Sequence, residues 1–327
     1  MVREISQYTW FSTFDLKSAY HQIPLHEDDK VYTAFEADGG LWEFNRIPFG
    51  VTNGVSKFQR NINNIVANEN LQATFPFMDN VTVCGRSEDE LKQNEAKFRS
   101  TAEEYNLTLN EAKTISCVQT VPLLGYLVSH GEIKPDPERL QPLKDLAAPC
   151  DLDSQRKIVG MFAYYSRWIP RYSEKIRPLN SNKAFLLSTE ALSKFQSLKD
   201  EIAAATLATP LDGVQFEVET DASDYAIAAT LNQAGRPVAF FSRTLNTSEQ
   251  HHPAVEKEAC AIVEAVDKWR HYLYGKHLEL ITDQRSVAFL YDRKHKRTKI
   301  KNDKIMRWCT ELSPYSYDII YCPGLEN

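Results

Sequence analysis

Three acidic runs in the C-terminal third combine residue types and spacing that could do chemistry together: Thr220-Asp-Ala-Ser223, Glu256-Lys-Glu-Ala259 and Ile281-Thr-Asp-Gln284. Asp221 follows an alternating stretch from Phe216 to Thr220, Glu258 falls in the first turn of an amphipathic helix, and Asp283 ends the run Glu279 to Thr282. Carboxylates at the ends of neighbouring strands, and on a helix packed over them, converge at one edge of a sheet. Once together they repel one another unless a hard divalent cation with oxygen ligands holds them. Taken singly, each is more readily a turn or cap residue; the ordered set of three is what points to metal-assisted chemistry.

The elements that must position these residues follow from periodicity. After Pro210, the alternation Phe216-Glu-Val218-Glu, the run Ala226 to Leu231, a turn at Asn232-Gln-Ala-Gly235 and the run Val238 to Phe241 predict a three-stranded meander. A helix is expected from Val255 to Leu273, with Ala259, Ile262, Val263 and Val266 on one stripe and Gly275 just past its end. A strand over His277 to Thr282, a basic helical region and a last strand over Tyr317 to Tyr321 complete a mixed-sheet domain. Ahead of it the spacing is helical: Ile158, Met161, Phe162, Tyr165, Trp168 and Ile169 recur until Pro170, and Ala191 to Ala205 forms a second amphipathic stretch. Trp168 and Trp269 lie on apolar stripes and read as core residues, while His251 and His252 read as loop residues without a metal partner at ligand spacing. The first 140 residues mix short β-like runs (Trp10 to Phe14, Val31 to Phe35, Thr74 to Phe77, Val81 to Cys84) with helices over Ser56 to Val66 and Glu88 to Tyr105. The expected organisation is therefore an α+β multidomain chain divided at 1–140, 141–208 and 209–327.

Composition bounds what such a chain can be. With 327 residues, 43% hydrophobic and 25% charged, it has apolar material for two or three domains and is too balanced for disorder or a fibre. Six scattered cysteines without a CxxC pair signal neither a zinc site nor a disulfide framework. No run approaches the roughly 18 apolar residues of a membrane span, and no signal peptide is evident, so an intracellular setting, cytoplasm or nucleus, is expected. The net charge of −6 argues by itself against a nucleic-acid partner. Its distribution argues otherwise. Residues 141–205 hold 10 basic and 7 acidic residues, and the stretch Arg285 to Arg307 holds nine basic residues against only Asp292 and Asp303. Such a run is either a solvated helix face or a phosphate-facing patch.

The chain resembles the reverse transcriptase–RNase H region of gypsy-type LTR retrotransposon polyproteins along essentially its whole length. The runs that carry the resemblance are Phe14-Asp-Leu-Lys-Ser-Ala-Tyr-His-Gln-Ile23, Arg46-Ile-Pro-Phe-Gly-Val-Thr-Asn53 leading to Phe58-Gln-Arg60, and Phe77-Met-Asp-Asn80. They continue with Leu107-Thr-Leu-Asn-Glu-Ala-Lys113, Leu124-Gly125 and Tyr164-Tyr-Ser-Arg-Trp-Ile-Pro170, then the three acidic runs. What the resemblance implies is a polymerase palm with a remnant of fingers over 1–140, a helical thumb or connection over 141–208 and an RNase H-like mixed α/β domain over 209–327. It implies RNA-directed DNA polymerase and RNase H activities, each using two divalent ions, Mg2+ or Mn2+, about 3.5 to 4 Å apart to clamp attacking and leaving oxygens.

By position the resemblance makes Asp15 and Asp79 the polymerase ligands, and Asp221, Glu258 and Asp283 those of the nuclease. Tyr20 falls where the family places an aromatic gate against the 2′-hydroxyl, although a half-buried palm tyrosine would look the same. Phe49 and Gly50 fall where backbone approaches nucleotide and template, with glycine giving room. Lys113 falls near the triphosphate, although a plain surface lysine would also fit. Arg293, Lys294, Lys296, Arg297, Lys299 and Lys301 become candidate contacts to the hybrid's phosphates. The implied partners are an RNA template, a DNA primer, an RNA·DNA hybrid and dNTPs, with no membrane and a possible oligomer or larger polyprotein context. Two departures qualify this pattern. Asn80 stands where the family usually has a second Asp, keeping an oxygen ligand but losing a charge. The chain also reads as cut within the fingers and just short of the family's fourth RNase H aspartate. An impaired or domesticated remnant that binds nucleic acid is therefore the alternative, and a nuclease with a dead palm a third reading.

Overall fold

A computed structural model describes residues 1–180, 185, 188–292 and 302–323. The chain forms two compact units, Met1–Gly131 and Glu132–Asn327. Among the described residues, no helix is long and apolar enough to cross a membrane.

The first unit is built on β1 (Trp10–Asp15), β2 (Thr74–Phe77), β3 (Asn80–Gly85) and β4 (Ile115–Val118), in the order β2-β3-β1-β4 with antiparallel neighbours. Two helices, α1 (Gly54–Asn68) and α2 (Glu88–Glu104), supply the other half of its core. Phe14, Val81 and Val83 from the sheet cluster with Phe58 and Ile62 of α1 and with Leu91 and Phe98 of α2. Removing a ring such as Phe14 or Phe58, both fully buried, costs about 3–5 kcal/mol. Helix α2 starts where Ser87 Oγ accepts from Glu90 N at 3.2 Å, with Glu88, Asp89 and Glu90 favouring the positive end of the helix. Gly85 lets β3 run directly into this helix: a Cβ there would stand 2.4 Å from Leu91 N and 2.7 Å from its Cα.

The expected strand over Val31 to Phe35 is not formed. A short helix at Glu27–Lys30 and a tight turn at Val31–Thr33 take its place, and pairing begins at Phe35, between Phe35–Ala37 and Gly40–Trp42. The acidic run Glu27, Asp28 and Asp29 favours a helical first turn, and Thr33 Oγ1 donates to Lys30 O at 2.6 Å, closing the backbone before it can extend.

In the second unit, helices α3 (Leu152–Tyr164), α4 (Tyr172–Asn180) and α5 (Thr189–Ala204) precede a five-stranded sheet. Its strands are β5 (Phe216–Ala222), β6 (Ala226–Gln233), β7 (Arg236–Thr244), β8 (His277–Thr282) and β9 (Ser316–Tyr321), in the order β7-β6-β5-β8-β9. The meander β5-β6-β7 is antiparallel, and β8 and β9 add in parallel. Its β6-β7 turn closes through Ala234 and Gly235, at φ 49° and 70°, the double positive-φ arrangement whose twist matches a two-residue hairpin. Helix α6 (Ala254–Lys268) lays Ala259, Ile262, Val263 and Val266 on the sheet's Phe216, Val218, Leu231, Leu278 and Leu280. It stops at Lys268 rather than running to Leu273, with a separate turn at Arg270–Leu273 leading to Gly275 at φ 76°. Helices α7 (Arg285–Tyr291) and α8 (Asp303–Glu311) complete the unit. Trp168 and Trp269 are both buried to 3% exposure, as core residues.

Candidate active sites

At the open end of the first sheet, Asp15 is the last residue of β1 and pairs with Asn80, so the preceding hairpin residue Asp79 stands beside it. Leu16 N donates to Asp79 O at 2.7 Å, tying the two chain segments together at this point. The turn that presents Asp79 holds Met78 at φ 53°, a conformation L side chains resist. Gln59 on α1 props it: its Nε2 donates to Pro76 O at 3.0 Å and its Oε1 accepts from Met78 N at 2.7 Å. Asp15 itself is half-buried. Its Oδ1 accepts from Asn110 Nδ2 at 3.0 Å, and its Oδ2 lies 3.5 Å from Lys113 Nζ.

Asp15, Tyr20, Phe49, Asp79, Asn110 and Lys113 line one cavity of about 320 Å³. Tyr20 is half-buried, edge-on to Phe49 at 5.6 Å and to Phe58 at 5.5 Å. Phe49 is 68% exposed, a large ring left in solvent at the cavity wall. Gly50 adopts φ 88°, and a Cβ there would meet nothing within 4 Å. Within this chain its requirement is therefore conformational rather than steric. Asn80, in the place of the pattern's second carboxylate, has its Nδ2 3.4 Å from Asp79 Oδ1 and donates toward the carboxylate that remains.

In the second unit, Thr220 and Thr282 are paired on adjacent parallel strands, and Asp221 and Asp283 are the residues that follow them. Glu258 projects onto this pair as the fifth residue of α6, one residue deeper in the helix than the sequence suggests. It is 3% exposed, and its Oε1 accepts from Thr220 Oγ1 at 3.1 Å and from Thr282 Oγ1 at 3.0 Å. Burial pushes the Glu258 carboxyl up to about 7; the two threonine hydroxyls pull it back, and Asp283 and Asp221 add to the rise. Burial also raises Asp221, Arg171 opposes this, and Glu174 and Asp283 add to it. Arg171 Nη2 lies 3.0 Å from Asp221 Oδ2.

Both donor sets consist of carboxylate oxygens, the chemistry a hard divalent cation takes. In the second, mutual repulsion among Asp221, Glu258 and Asp283 is the charge imbalance such a cation relieves. Among the described residues, one group of three places its ligand atoms within 4.8 Å of one another, Glu249, Cys260 and Glu264, and this is a different place. There Arg243 already bridges the carboxylates, at 2.8 Å to Glu249 and 2.7 Å to Glu264. Asp221, Glu258 and Asp283 are spaced more widely. The basic residues Arg293, Lys294, Lys296, Arg297, Lys299 and Lys301 lie outside the described residues.

Asn110, Gln59, Thr220 and Thr282 all lie in the quoted runs, but sequence reasoning gave them no role. Arg171 lay one residue beyond its run. The two threonines had a readable signal, since alternation from Phe216 and Leu278 puts both on the core face.

An antiparallel palm-type sheet bearing two carboxylates, and a five-stranded mixed sheet with two more at its strand ends and a third on the helix above them, have the architecture of a reverse transcriptase domain followed by an RNase H-like domain. Residues 1–128 match the family of reverse transcriptase (RNA-dependent DNA polymerase), and 213–315 that of the RNase H-like domain found in reverse transcriptase. The chain thus carries a reverse transcriptase domain and an RNase H-like domain, and it is similar along most of its length to gypsy-type transposon Pol polyproteins. The retrovirus-related Pol polyproteins from the Drosophila melanogaster transposons opus and gypsy are 31% and 30% identical to it, each over 97% of the chain. The chain spans 33% and 32% of their lengths, about a third. The foamy viral protease-reverse transcriptase in complex with dsDNA shares the fold at TM-score 0.80 and 20% identity, covering 98% of this chain and 68% of that one. The same protein in complex with an RNA/DNA hybrid matches at TM-score 0.74 and 18% identity, over 100% of this chain and 46% of that one.

Proposed function

We propose that the chain is an RNA-directed DNA polymerase with an RNase H activity, and that its two carboxylate sets are two separate phosphoryl-transfer sites. The observation that carries this is the meeting of Asp15 and Asp79, 64 positions apart in sequence, at the mouth of a cavity walled by Tyr20 and Phe49. Their donor chemistry fits Mg2+ or Mn2+, which when bound would polarise the phosphate and stabilise negative charge on the attacking and leaving oxygens. Asp15 and Asp79 would hold these ions in the first unit; Asp221, Glu258 and Asp283 would hold them in the second.

The chain's own residues do the rest. Lys113 places a cation 3.5 Å from Asp15, where a triphosphate beside the metal ligands would meet it. Tyr20, wedged between Phe49 and Phe58, sets the volume left for the sugar, and so the preference for deoxynucleotides. Asn110 and Gln59 fix the two carboxylates without taking part in transfer. In the second unit, the Thr220 and Thr282 hydroxyls orient Glu258 toward the sheet edge. The partners are an RNA template, a DNA primer, the hybrid they form and dNTPs, and the basic stretch 293–301 is proposed to contact the hybrid. We retain the division into palm (1–140), helical connection (141–208) and RNase H-like domain (209–327).

Primer extension on an RNA template and cleavage of an RNA·DNA hybrid, both with Mg2+ or Mn2+, test the reading. Extension lost in Asp15→Asn while hybrid cleavage persists is the expected result. No extension by the native chain beside an active control removes the polymerase claim. Asn80 favours a second reading, a binding module without turnover, because it lowers the charge available to hold metal. That reading predicts hybrid binding that survives both Asp15→Asn and Asp221→Asn in a chain that neither extends nor cleaves.

A further inference from the structure

Arg171 precedes α4 with φ at 52°, in the left-handed region, and its guanidinium reaches Asp221 Oδ2 at 3.0 Å. An arginine keeps such a backbone only where its surroundings hold it there. Helix α4 is anchored to the same face of the sheet at two further points. Ser173 N donates to Ser242 Oγ on β7 at 2.9 Å, and the Arg177 guanidinium lies 3.4 Å from the ring centroid of Tyr225, in the turn joining β5 to β6. Lys257, the neighbour of Glu258, grips that turn as well, its Nζ donating to Asp224 at 2.9 Å. The strand end that presents Asp221 is thus held by a helix lying before residues 213–315, the part that matches the RNase H-like family.

Asp221 carries a single negative charge, and a divalent ion bound there competes with the guanidinium for it. An arginine freed from a carboxylate keeps the planar fork that fits a phosphate. We propose that Arg171 is a positioning residue of the hydrolytic site: it holds Asp221 as a resident cation until a divalent ion takes that carboxylate, and then faces a phosphate of the bound hybrid. This rests on reading Asp221, Glu258 and Asp283 as the metal-holding set.

The test uses the full chain carrying Asp15→Asn and Asp79→Asn, so that the hydrolytic set alone takes metal, with Mn2+ titrated calorimetrically. In this background Arg171→Gln should tighten Mn2+ about two- to five-fold, the range an exposed ion pair commands, while Arg171→Lys stays near the unsubstituted value. Arg171→Gln should also weaken binding of an RNA·DNA hybrid in Ca2+, with Arg171→Lys restoring it. Arg171 is exposed, so both variants should melt like their parent. Equal or weaker Mn2+ affinity in Arg171→Gln overturns the proposal while leaving the site intact. Asp221→Asn in the same background should abolish Mn2+ binding; if binding persists, the reading of the site fails, and the proposal with it.

Discussion

The two carboxylate sites solve the same electrostatic problem in opposite ways. In the first unit, Asp15 faces a cavity of about 320 Å³ and is balanced by Lys113, whose side chain is 67% exposed. In the second, Glu258 is 3% exposed and its carboxyl is pushed up to about 7, so that near neutrality a proton serves as its counter-ion. Like charges can be kept together by leaving them partly in water beside a flexible cation, or by desolvating them until one is protonated. On the proposed reading, the first arrangement suits a site that receives a charged nucleotide from solvent at every turnover. The second suits a site that becomes fully charged only when metal arrives.

The comparison breaks most sharply if one carboxylate serves both activities. Asp15→Asn should abolish primer extension and spare hybrid cleavage, and Asp221→Asn the reverse. Each loss should exceed the roughly 10- to 100-fold that follows removal of a group supporting a metal ligand. Paired extension and cleavage assays on both variants measure it, and a variant that loses both activities would merge the two sites into one system. The next largest effect is on stability. The folded-state value of Glu258 lies above the ordinary carboxylate value of 4.5, so folding favours its protonated form. That contribution is complete below about 4.5 and is lost as pH rises through about 7; the shift corresponds to about 3 kcal/mol. In EDTA, the second unit should therefore melt lower at pH 8 than at pH 5.5. Glu258→Gln should flatten this difference, and Mg2+ at pH 8 should restore the lost stability. A Glu258→Gln melting curve with an unchanged pH dependence would show that burial of this carboxyl carries no such weight.

What the sequence made legible, and what it hid, divides along the same physical line. Strands ending in a carboxylate were readable because alternation stops where the polar residue begins, as at Phe14-Asp15 and Thr282-Asp283. Helix α6 was readable from its stripe, yet its break at Lys268 was not, because Trp269 continues the apolar pattern while its backbone leaves the helix. The strand expected over Val31 to Phe35 failed because β-forming side chains lost to a local hydroxyl-to-backbone bond. Contacts made across the fold were the least accessible. Gln59 holds backbone 17 and 19 positions away, and Arg171 meets Asp221 across 50 residues. No periodicity records such pairs; they exist only once a helix and a sheet edge have been brought together.

Smaller effects sharpen the contrast within each site. Thr282→Val keeps the shape of a buried β-branched residue and removes one of the two hydroxyls that donate to Glu258. Hybrid cleavage should fall about ten-fold, as for other supporting partners of metal ligands, and the Glu258 carboxyl should rise further. The midpoint of the cleavage rate on the pH axis should then move upward while primer extension stays unchanged. A lower rate with an unmoved midpoint would mean that the hydroxyl only packs.

The smallest effect is expected at Lys113, and it separates two explanations of the same contact. If Lys113 serves only as an exposed partner of Asp15, Lys113→Ala costs about 0.2–1 kcal/mol of stability and leaves nucleotide affinity untouched. If it also meets the triphosphate, it gains a second anion when substrate binds, and the substitution should raise KM for dNTP about five-fold with kcat nearly constant. Single-nucleotide extension at varied dNTP concentration reads this directly, and Lys113→Arg should recover most of the loss because it keeps the charge. Hybrid cleavage by the same variants supplies the control from the other unit. An unchanged KM in Lys113→Ala would leave the lysine as a counter-ion to Asp15 alone, and the first site would then hold its carboxylates much as the second holds Asp221 with Arg171.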